Sequence, residues 1–236
     1  VFTRTAEDCA ILLTHISGYD PKDSTSSKKD TPDYEQECKR KFTNMTIGIP
    51  IEFLDGLDNK VREVFDENIK VLEKNGCKFK KISLKSSRLG VSAYQVVAPA
   101  ECSSNLSRFD GVRFGHRAEN VKSIDELYKK SRSEGFGQEV KRRILIGTYA
   151  LSAGYYDAYY LKAQKIRKVI SNEFAQAFKE VDLILGPTAP DCAFKIGEKT
   201  NDPIAMYLSD VFTVSTNLAG LPAMSFPMGF KDNLPL

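Results

Sequence analysis

The residues best suited to chemistry in this sequence lie between Ser133 and Val169, within two predicted helices. Arg142 and Arg143 are adjacent in the first helix, residues 138–151, so their side chains point about 100° apart and one of them can turn inward. An inward guanidinium could bind a small carboxylate through two parallel hydrogen bonds. The pattern alone favours the alternative, a solvated arginine pair, because exposed charges are the common case.

A tyrosine-rich segment follows at about Tyr155 and predicts the second, longer helix. Four tyrosines flank Asp157, which puts phenolic hydroxyls and a carboxylate at helical spacing. The favoured interpretation is an aromatic packing seam, with Asp157 in a structural role.

Composition excludes several classes of protein. The 236 residues carry a net charge of +3, which does not by itself indicate nucleic-acid binding. No apolar run reaches the ~20 residues that a transmembrane helix needs, and no signal peptide opens the sequence. Five scattered cysteines and two histidines argue against a zinc site or a disulfide framework, so a reducing compartment is expected. His15 and His116 are therefore expected to be structural or solvated.

The fold class follows from one segment of alternating elements. Residues 46–50 predict a strand, residues 58–74 a helix with one apolar face, and residues 77–84 a second strand. This βαβ unit predicts parallel pairing and an α/β fold, with helices covering the sheet on both faces. The sheet is expected to be mixed and incomplete in this chain.

Further elements lie on either side of that unit. Residues 19–41 are polar and rich in turn formers, which predicts a surface loop. Residues 181–186 predict a buried strand whose following turn could form part of a ligand site at the carboxyl edge of the sheet. Residues 223–228 predict a last strand. We expect a single domain over residues 1–236, with no internal boundary. The sequence lacks an initial Met and ends abruptly, which predicts a fragment.

Several phrases resemble the amidase signature family. They are TRTAEDCAILL, AGYYDAYYLKAQKIR, VDLILGPTAP and NLAGLPAMSFP. Within that family, SSNLSRFDGVRFG and EGFGQEVKRRILIGTYALSAGYYDAYY resemble the A-subunit family of glutamyl-tRNA(Gln)/aspartyl-tRNA(Asn) amidotransferases. The resemblance runs over nearly the whole chain and implies the carboxyl-terminal half of the catalytic core.

The resemblance implies a glutamine-binding role for three residues. Arg143 would bind the α-carboxylate of glutamine, Asp210 its α-ammonium, and Tyr94 would contribute a hydroxyl. No catalytic residue is expected in this chain, because the family's two serines and lysine would lie upstream of it. The resemblance therefore implies that these residues alone are inactive and fold poorly.

The resemblance also implies the partners and the location. The protein would hydrolyse glutamine and pass ammonia to a complex with subunits B and C, which amidates misacylated Glu-tRNA(Gln) in translation. It would bind no cofactor or metal itself, since ATP and Mg would be used by the complex. It would work in the bacterial cytoplasm or an organelle matrix and would have no membrane partner. Two alternatives remain open: a free-standing amide hydrolase of the same family, and a non-catalytic interaction module.

Overall fold

The structure is a computed structural model that describes residues 1–40, 44–199 and 201–236. The α-helices in these residues are α1 Ala6–Ile16, α2 Tyr34–Cys38, α3 Asn59–Lys74, α4 Gly90–Leu106, α5 Ile124–Gly135, α6 Gln138–Ala150, α7 Lys162–Ala177, α8 Pro203–Leu208 and α9 Val214–Ala219. The strands are β1 Thr46–Pro50, β2 Lys78–Ile82, β3 Leu183–Ile184, β4 Phe230–Lys231 and β5 Leu234–Pro235.

The main sheet confirms the α/β class. Strand β1 lies between β2 and β3 and pairs in parallel with both, while β4 and β5 form a separate antiparallel pair. Helix α3 connects β1 to β2, as the βαβ pattern predicts. It begins where the Asp58 carboxylate accepts hydrogen bonds from the backbone N–H groups of Lys60 and Val61. It buries Val61, Val64 and Phe65, the apolar face of the sequence pattern.

A hydrophobic core forms mainly where α4, α7 and α9 meet, beside the sheet. Its buried members are Phe53, Leu84, Ala93, Val97, Ala163, Ile170, Phe174, Phe212, Val214 and Leu218. Tyr94 packs against this cluster from its margin. The core therefore fixes α4, the helix that carries one of the three predicted site residues.

The closest packing between helices joins α4 to α6. A Cβ at Gly147 would overlap the carbonyl oxygen of Pro99 and would lie 2.8 Å from the Cβ of Ser103. One residue later, the hydroxyls of Thr148 and Ser103 lie 2.8 Å apart and join the two helices by a hydrogen bond. Only glycine allows this approach, so the backbones of α4 and α6 come unusually close.

The tyrosine-rich helix differs from the prediction at its start. Its first turns, Tyr156–Leu161, are π-helical, and regular α-helix begins only with α7. The rings of Tyr149, Tyr155 and Tyr159 pack against one another at tilted angles, and each remains about half exposed. The expected packing seam is therefore a surface cluster in the residues that the structure describes.

The predicted surface loop over residues 19–41 is wrong in part, because it contains α2. The Asp33 carboxylate caps this helix at the backbone N–H of Gln36, and the backbone N–H of Tyr34 donates to Thr14 in α1. A tertiary contact with α1 therefore supports a helix that the polar composition did not predict. Lys41, the last residue of the predicted loop, lies outside the described residues.

Two of the predicted strands also need correction. Residues 223–228 form no strand, and Met224 and Phe226 are half exposed, because no described strand lies alongside to pair with them. Residues 181–186 pair as a strand only at Leu183–Ile184, and Leu183 is 48% exposed, so this strand is not buried as predicted. Its exposure follows from its place at one edge of the described sheet.

A search of the described residues finds no helix with the length and apolar character to cross a membrane.

We expect Gly147→Ala to reduce the free energy of unfolding by about 1–3 kcal/mol, the usual cost of overpacking, despite the better helix propensity of alanine. Denaturant unfolding of the purified protein measures this change. Gly18→Ala is the control, because its Cβ would lie 4.0 Å from the nearest described neighbour, Thr31 Oγ1. Equal stabilities of the two variants would contradict close packing at Gly147.

Candidate functional site

A cluster of charged side chains occupies the first turns of α6. Glu139 precedes Arg142 and Arg143 by three and four residues, the spacing at which helical side chains meet. The Glu139 carboxylate accepts hydrogen bonds from Arg142 Nε at 2.9 Å, from Arg142 Nη2 at 2.8 Å and from Arg143 Nε at 2.9 Å. One carboxylate thus holds both guanidinium groups.

Neither arginine turns fully inward, contrary to the expectation of an inward guanidinium that binds a carboxylate. The side chain of Arg142 is 48% exposed and that of Arg143 is 35% exposed. Arg143 is the more covered of the two because it lies one helical turn before Gly147, on the face of α6 that packs against α4.

Tyr94 lies close enough to Arg143 for its hydroxyl to affect the pKa of the arginine. Tyr94 lies in α4, partly buried against the core. Hydrogen bonding of the Arg143 guanidinium to Glu139 and, second, to the Tyr94 hydroxyl raises the pKa of Arg143. The arginine therefore remains a cation at every physiological pH and lies beside a phenolic hydroxyl.

Asp210 lies in the turn between α8 and α9. Its backbone carbonyl accepts hydrogen bonds from the backbone N–H groups of Thr213 and Val214, which shapes the entry to α9. Its exposed carboxylate makes no hydrogen bond or ion pair within the described parts of the chain. A carboxylate without a protein partner is available for a cationic ligand.

Tyr207 links the turn that holds Asp210 to the arginine cluster. This residue precedes Asp210 by three positions, and its hydroxyl accepts a hydrogen bond of 2.8 Å from Arg142 Nη2. Glu139 thus contacts Arg143 directly and reaches α8 through Arg142. Tyr94 is thus linked to Arg143 itself, whereas Asp210 is linked to the cluster only through the segment that carries Tyr207.

Sequence reasoning missed Glu139 and Tyr207. The signal for Glu139 was present, since a carboxylate three and four residues before two arginines predicts ion pairs along a helix. Nothing local identifies Tyr207, because its contact with Arg142 spans 65 positions of the sequence.

A second polar arrangement shapes the loop between α4 and α5, where the SRFDGVRFG phrase lies. Oδ1 of Asp110 accepts the backbone N–H groups of Val112 and Arg113, and Oδ2 accepts Nε and Nη2 of Arg113. These hydrogen bonds lower the pKa of Asp110 to about 2, and the bond from the backbone N–H of Arg113 has the largest effect. Gly111 has a φ of +79°, and a Cβ there would overlap Ser131 in α5.

Neither His15 nor His116 forms a catalytic arrangement with a nucleophile among the described residues. Nε2 of His116 lies 2.7 Å from Oε2 of Glu134, with both side chains about half exposed. His15 lies in the last turn of α1. Within the described residues, no group of three or more histidine, cysteine or acidic side chains could hold a metal ion.

A cavity of about 290 Å³ lies at the carboxyl edge of the sheet, where the residues after β3 were predicted to form a ligand site. Phe65, Gly186, Thr188 and Met228 are among the residues that line it. Tyr94, Arg143 and Asp210 are not among them. We place the candidate site at the charged cluster, because the described lining of the cavity lacks a cation suited to a carboxylate.

The fold and the cluster define an α/β protein with an arginine–tyrosine pair and, in the turn after α8, a carboxylate with no partner among the described residues. The model of the amidase family matches residues 1–236. The chain belongs to the amidase family.

Two relatives and one solved structure are similar over nearly the whole chain. The chain is 58% identical, over 233 residues, to the A subunit of glutamyl-tRNA(Gln) amidotransferase from Thioalkalivibrio sulfidiphilus, covering 98% of this chain and 48% of that protein. It is 58% identical over 236 residues to the protein of the same name from Hahella chejuensis, covering 100% of this chain and 49% of that protein. The crystal structure of the protein of that name from Thermotoga maritima is 41% identical with a TM-score of 0.74, covering 99% of this chain and 46% of that chain.

The chain thus spans about half the length of the relatives it matches. The resemblance to the A-subunit family that the sequence phrases indicated is confirmed by these relatives.

We expect Asp110→Asn to remove a pH-dependent contribution to stability. Because the pKa of Asp110 is lowered from 3.8 to about 2, its contribution is fully present above pH 3.8 and is lost as the pH falls through about 2. The thermal midpoints of wild type and variant should therefore differ most at neutral pH and converge near pH 2. Asp30→Asn, at an exposed loop position, is the control. A constant difference across this range would contradict the role of the ionised carboxylate.

Proposed function

We propose that the chain is part of the glutamine-hydrolysing subunit of a tRNA-dependent amidotransferase. The observation that carries this proposal is the 58% identity to two proteins named as the A subunit of glutamyl-tRNA(Gln) amidotransferase. In this role the subunit releases ammonia from glutamine, and the ammonia converts misacylated Glu-tRNA(Gln) to Gln-tRNA(Gln) for translation.

The proposed complex divides the work among its subunits. Subunits B and C would join this one, and the complex would handle the misacylated tRNA, ATP and Mg, while this chain binds no cofactor. The nucleophilic serine, the second serine and the lysine of the family would lie outside residues 1–236, so this portion alone should release no ammonia from glutamine. The complex would work in the bacterial cytoplasm or an organelle matrix.

The charged cluster supports glutamine as the ligand. A free amino acid carries a carboxylate and an ammonium, and each charge needs a partner when water is excluded. Arg143 donates through Nε to Glu139 and next to the Tyr94 hydroxyl, and its remaining terminal N–H donors are available for the carboxylate. Asp210 offers the complementary anion for the ammonium, and Tyr94 lies beside Arg143 as a further polar contact.

The same charges count against a free-standing hydrolase of aryl or acyl amides. An apolar amide would cover Arg143 and Asp210 without pairing either charge, which is costly because the ligand itself would exclude water from both. A non-catalytic interaction module would give no reason for a cation and a free anion held in one region.

In the complete subunit, we expect Arg143→Lys to lower kcat/KM for glutamine. The loss should correspond to about 2–4 kcal/mol of transition-state stabilisation, because lysine keeps the charge but lacks the planar guanidinium that can meet both carboxylate oxygens. Amidation driven by added ammonia should persist, since ammonia bypasses the glutamine site. Arg62→Lys is the matched control, because Arg62 also pairs with an acidic residue four positions away. An equal loss of both activities would show that Arg143 is structural.

We expect Asp210→Asn to raise the KM for glutamine while a glutamine analogue without the α-amino group is hydrolysed almost as before. The physical reason is that only glutamine presents an ammonium to this carboxylate. The double variant with Arg143→Lys should lose less than the sum of the single losses, by about 0.5–3 kcal/mol, because both residues hold one ligand. Strict additivity, with the analogue affected as much as glutamine, would contradict the assignment of Asp210.

A further inference from the structure

The orientation of Arg143 depends mainly on the contact of its Nε with Glu139, with the Tyr94 hydroxyl as its second partner. A guanidinium has five N–H donors in a rigid plane, and the Nε of Arg143 donates to Glu139 Oε1 at 2.9 Å. Because the plane is rigid, fixing Nε also fixes the direction of the two terminal nitrogens. Glu139 therefore decides where the free end of Arg143 points.

The same carboxylate controls the neighbouring arginine. Glu139 binds Arg142 through both oxygens, and the Nη2 of Arg142 then donates to the Tyr207 hydroxyl. Tyr207 belongs to α8, the helix that precedes the turn of Asp210. One carboxylate thus connects the residue proposed for the α-carboxylate to the segment that carries the residue proposed for the α-ammonium.

We propose that Glu139 is a positioning residue that sets the geometry of both ends of the glutamine site, an inference that rests on the proposed function. Through Arg143 it directs the two terminal nitrogens at the ligand carboxylate. Through Arg142 and Tyr207 it holds α8, and with it Asp210, at a fixed place relative to α6.

The ionisation of the cluster agrees with this role. The hydrogen bonds from Arg143 and, second, Arg142 lower the pKa of Glu139, so the carboxylate is an anion at neutral pH. One anion between two cations leaves an excess positive charge for an incoming carboxylate. Half-exposed ion pairs of this kind add little to global stability, so the main effect of Glu139 is on the placement of the arginines.

The test is the Glu139→Gln variant of the complete subunit within its complex. The variant side chain keeps its length and an acceptor oxygen but loses the charge that holds two guanidinium groups. We expect the KM for glutamine to rise by about 2- to 160-fold, which is the usual coupling free energy between contacting residues expressed as a ratio of KM values. The thermal midpoint and the ammonia-driven amidation should stay near the wild-type values.

Two probes separate positioning from a general structural role. Hydrolysis of 4-aminobutanamide, which is glutamine without its α-carboxylate, should be less sensitive to Glu139→Gln than hydrolysis of glutamine, since it makes no demand on Arg143 and depends on Glu139 only through Asp210. Glu134→Gln is the matched control: its side chain is 52% exposed, as is that of Glu139, but it pairs with His116 and contacts neither arginine. It should leave the KM for glutamine unchanged.

The outcomes distinguish this inference from the proposed function when Arg143→Ala is measured in parallel. An unchanged KM in Glu139→Gln, together with a raised KM in Arg143→Ala, overturns the role of Glu139 and leaves the glutamine site in place. If neither variant affects the KM for glutamine, the assignment of Arg143 fails as well, and a complete subunit that hydrolyses no glutamine overturns the proposed function itself. If glutamine-driven and ammonia-driven activities fall together in Glu139→Gln, the residue is structural and the inference is wrong.

Discussion

The close contact between α4 and α6 is the constraint on which the candidate site depends. Gly147 has no side chain, so α6 approaches the Pro99 carbonyl of α4 more closely than any other residue would allow. Arg143 lies one turn earlier on the same face and is brought to Tyr94 by that approach. The position of Arg143, the residue proposed to bind the ligand carboxylate, therefore depends on a glycine and on the core that fixes α4.

The charges of the site are kept near the surface and are organised by one carboxylate. Two adjacent arginines would repel each other, and Glu139 offsets this repulsion by accepting hydrogen bonds from both. Asp210 lies outside that cluster and has no ion-pair partner among the described residues. A cation held in place and an anion left free are the two features that a zwitterionic ligand requires.

The sequence predicted those parts of the fold that depend on local pattern. The βαβ unit over β1, α3 and β2 was recognisable because its apolar periodicity changes from strand to helix and back. The strand over residues 223–228 was wrong, since apolar composition does not show whether a partner strand lies alongside. Helix α2 was missed because a contact with α1 supports it. The roles of Tyr94, Arg143 and Asp210 came from resemblance, and Tyr207 could be found only in three dimensions.

The most direct measurement of the central claim is a crystal structure of the complete subunit with unhydrolysed glutamine, obtained by replacing its serine nucleophile. The account predicts the α-carboxylate of glutamine on the terminal nitrogens of Arg143, whose Nε remains on Glu139, and the α-ammonium on the Asp210 carboxylate. Glutamine bound elsewhere, with Arg143 still in contact only with Glu139 and Tyr94, would contradict the account.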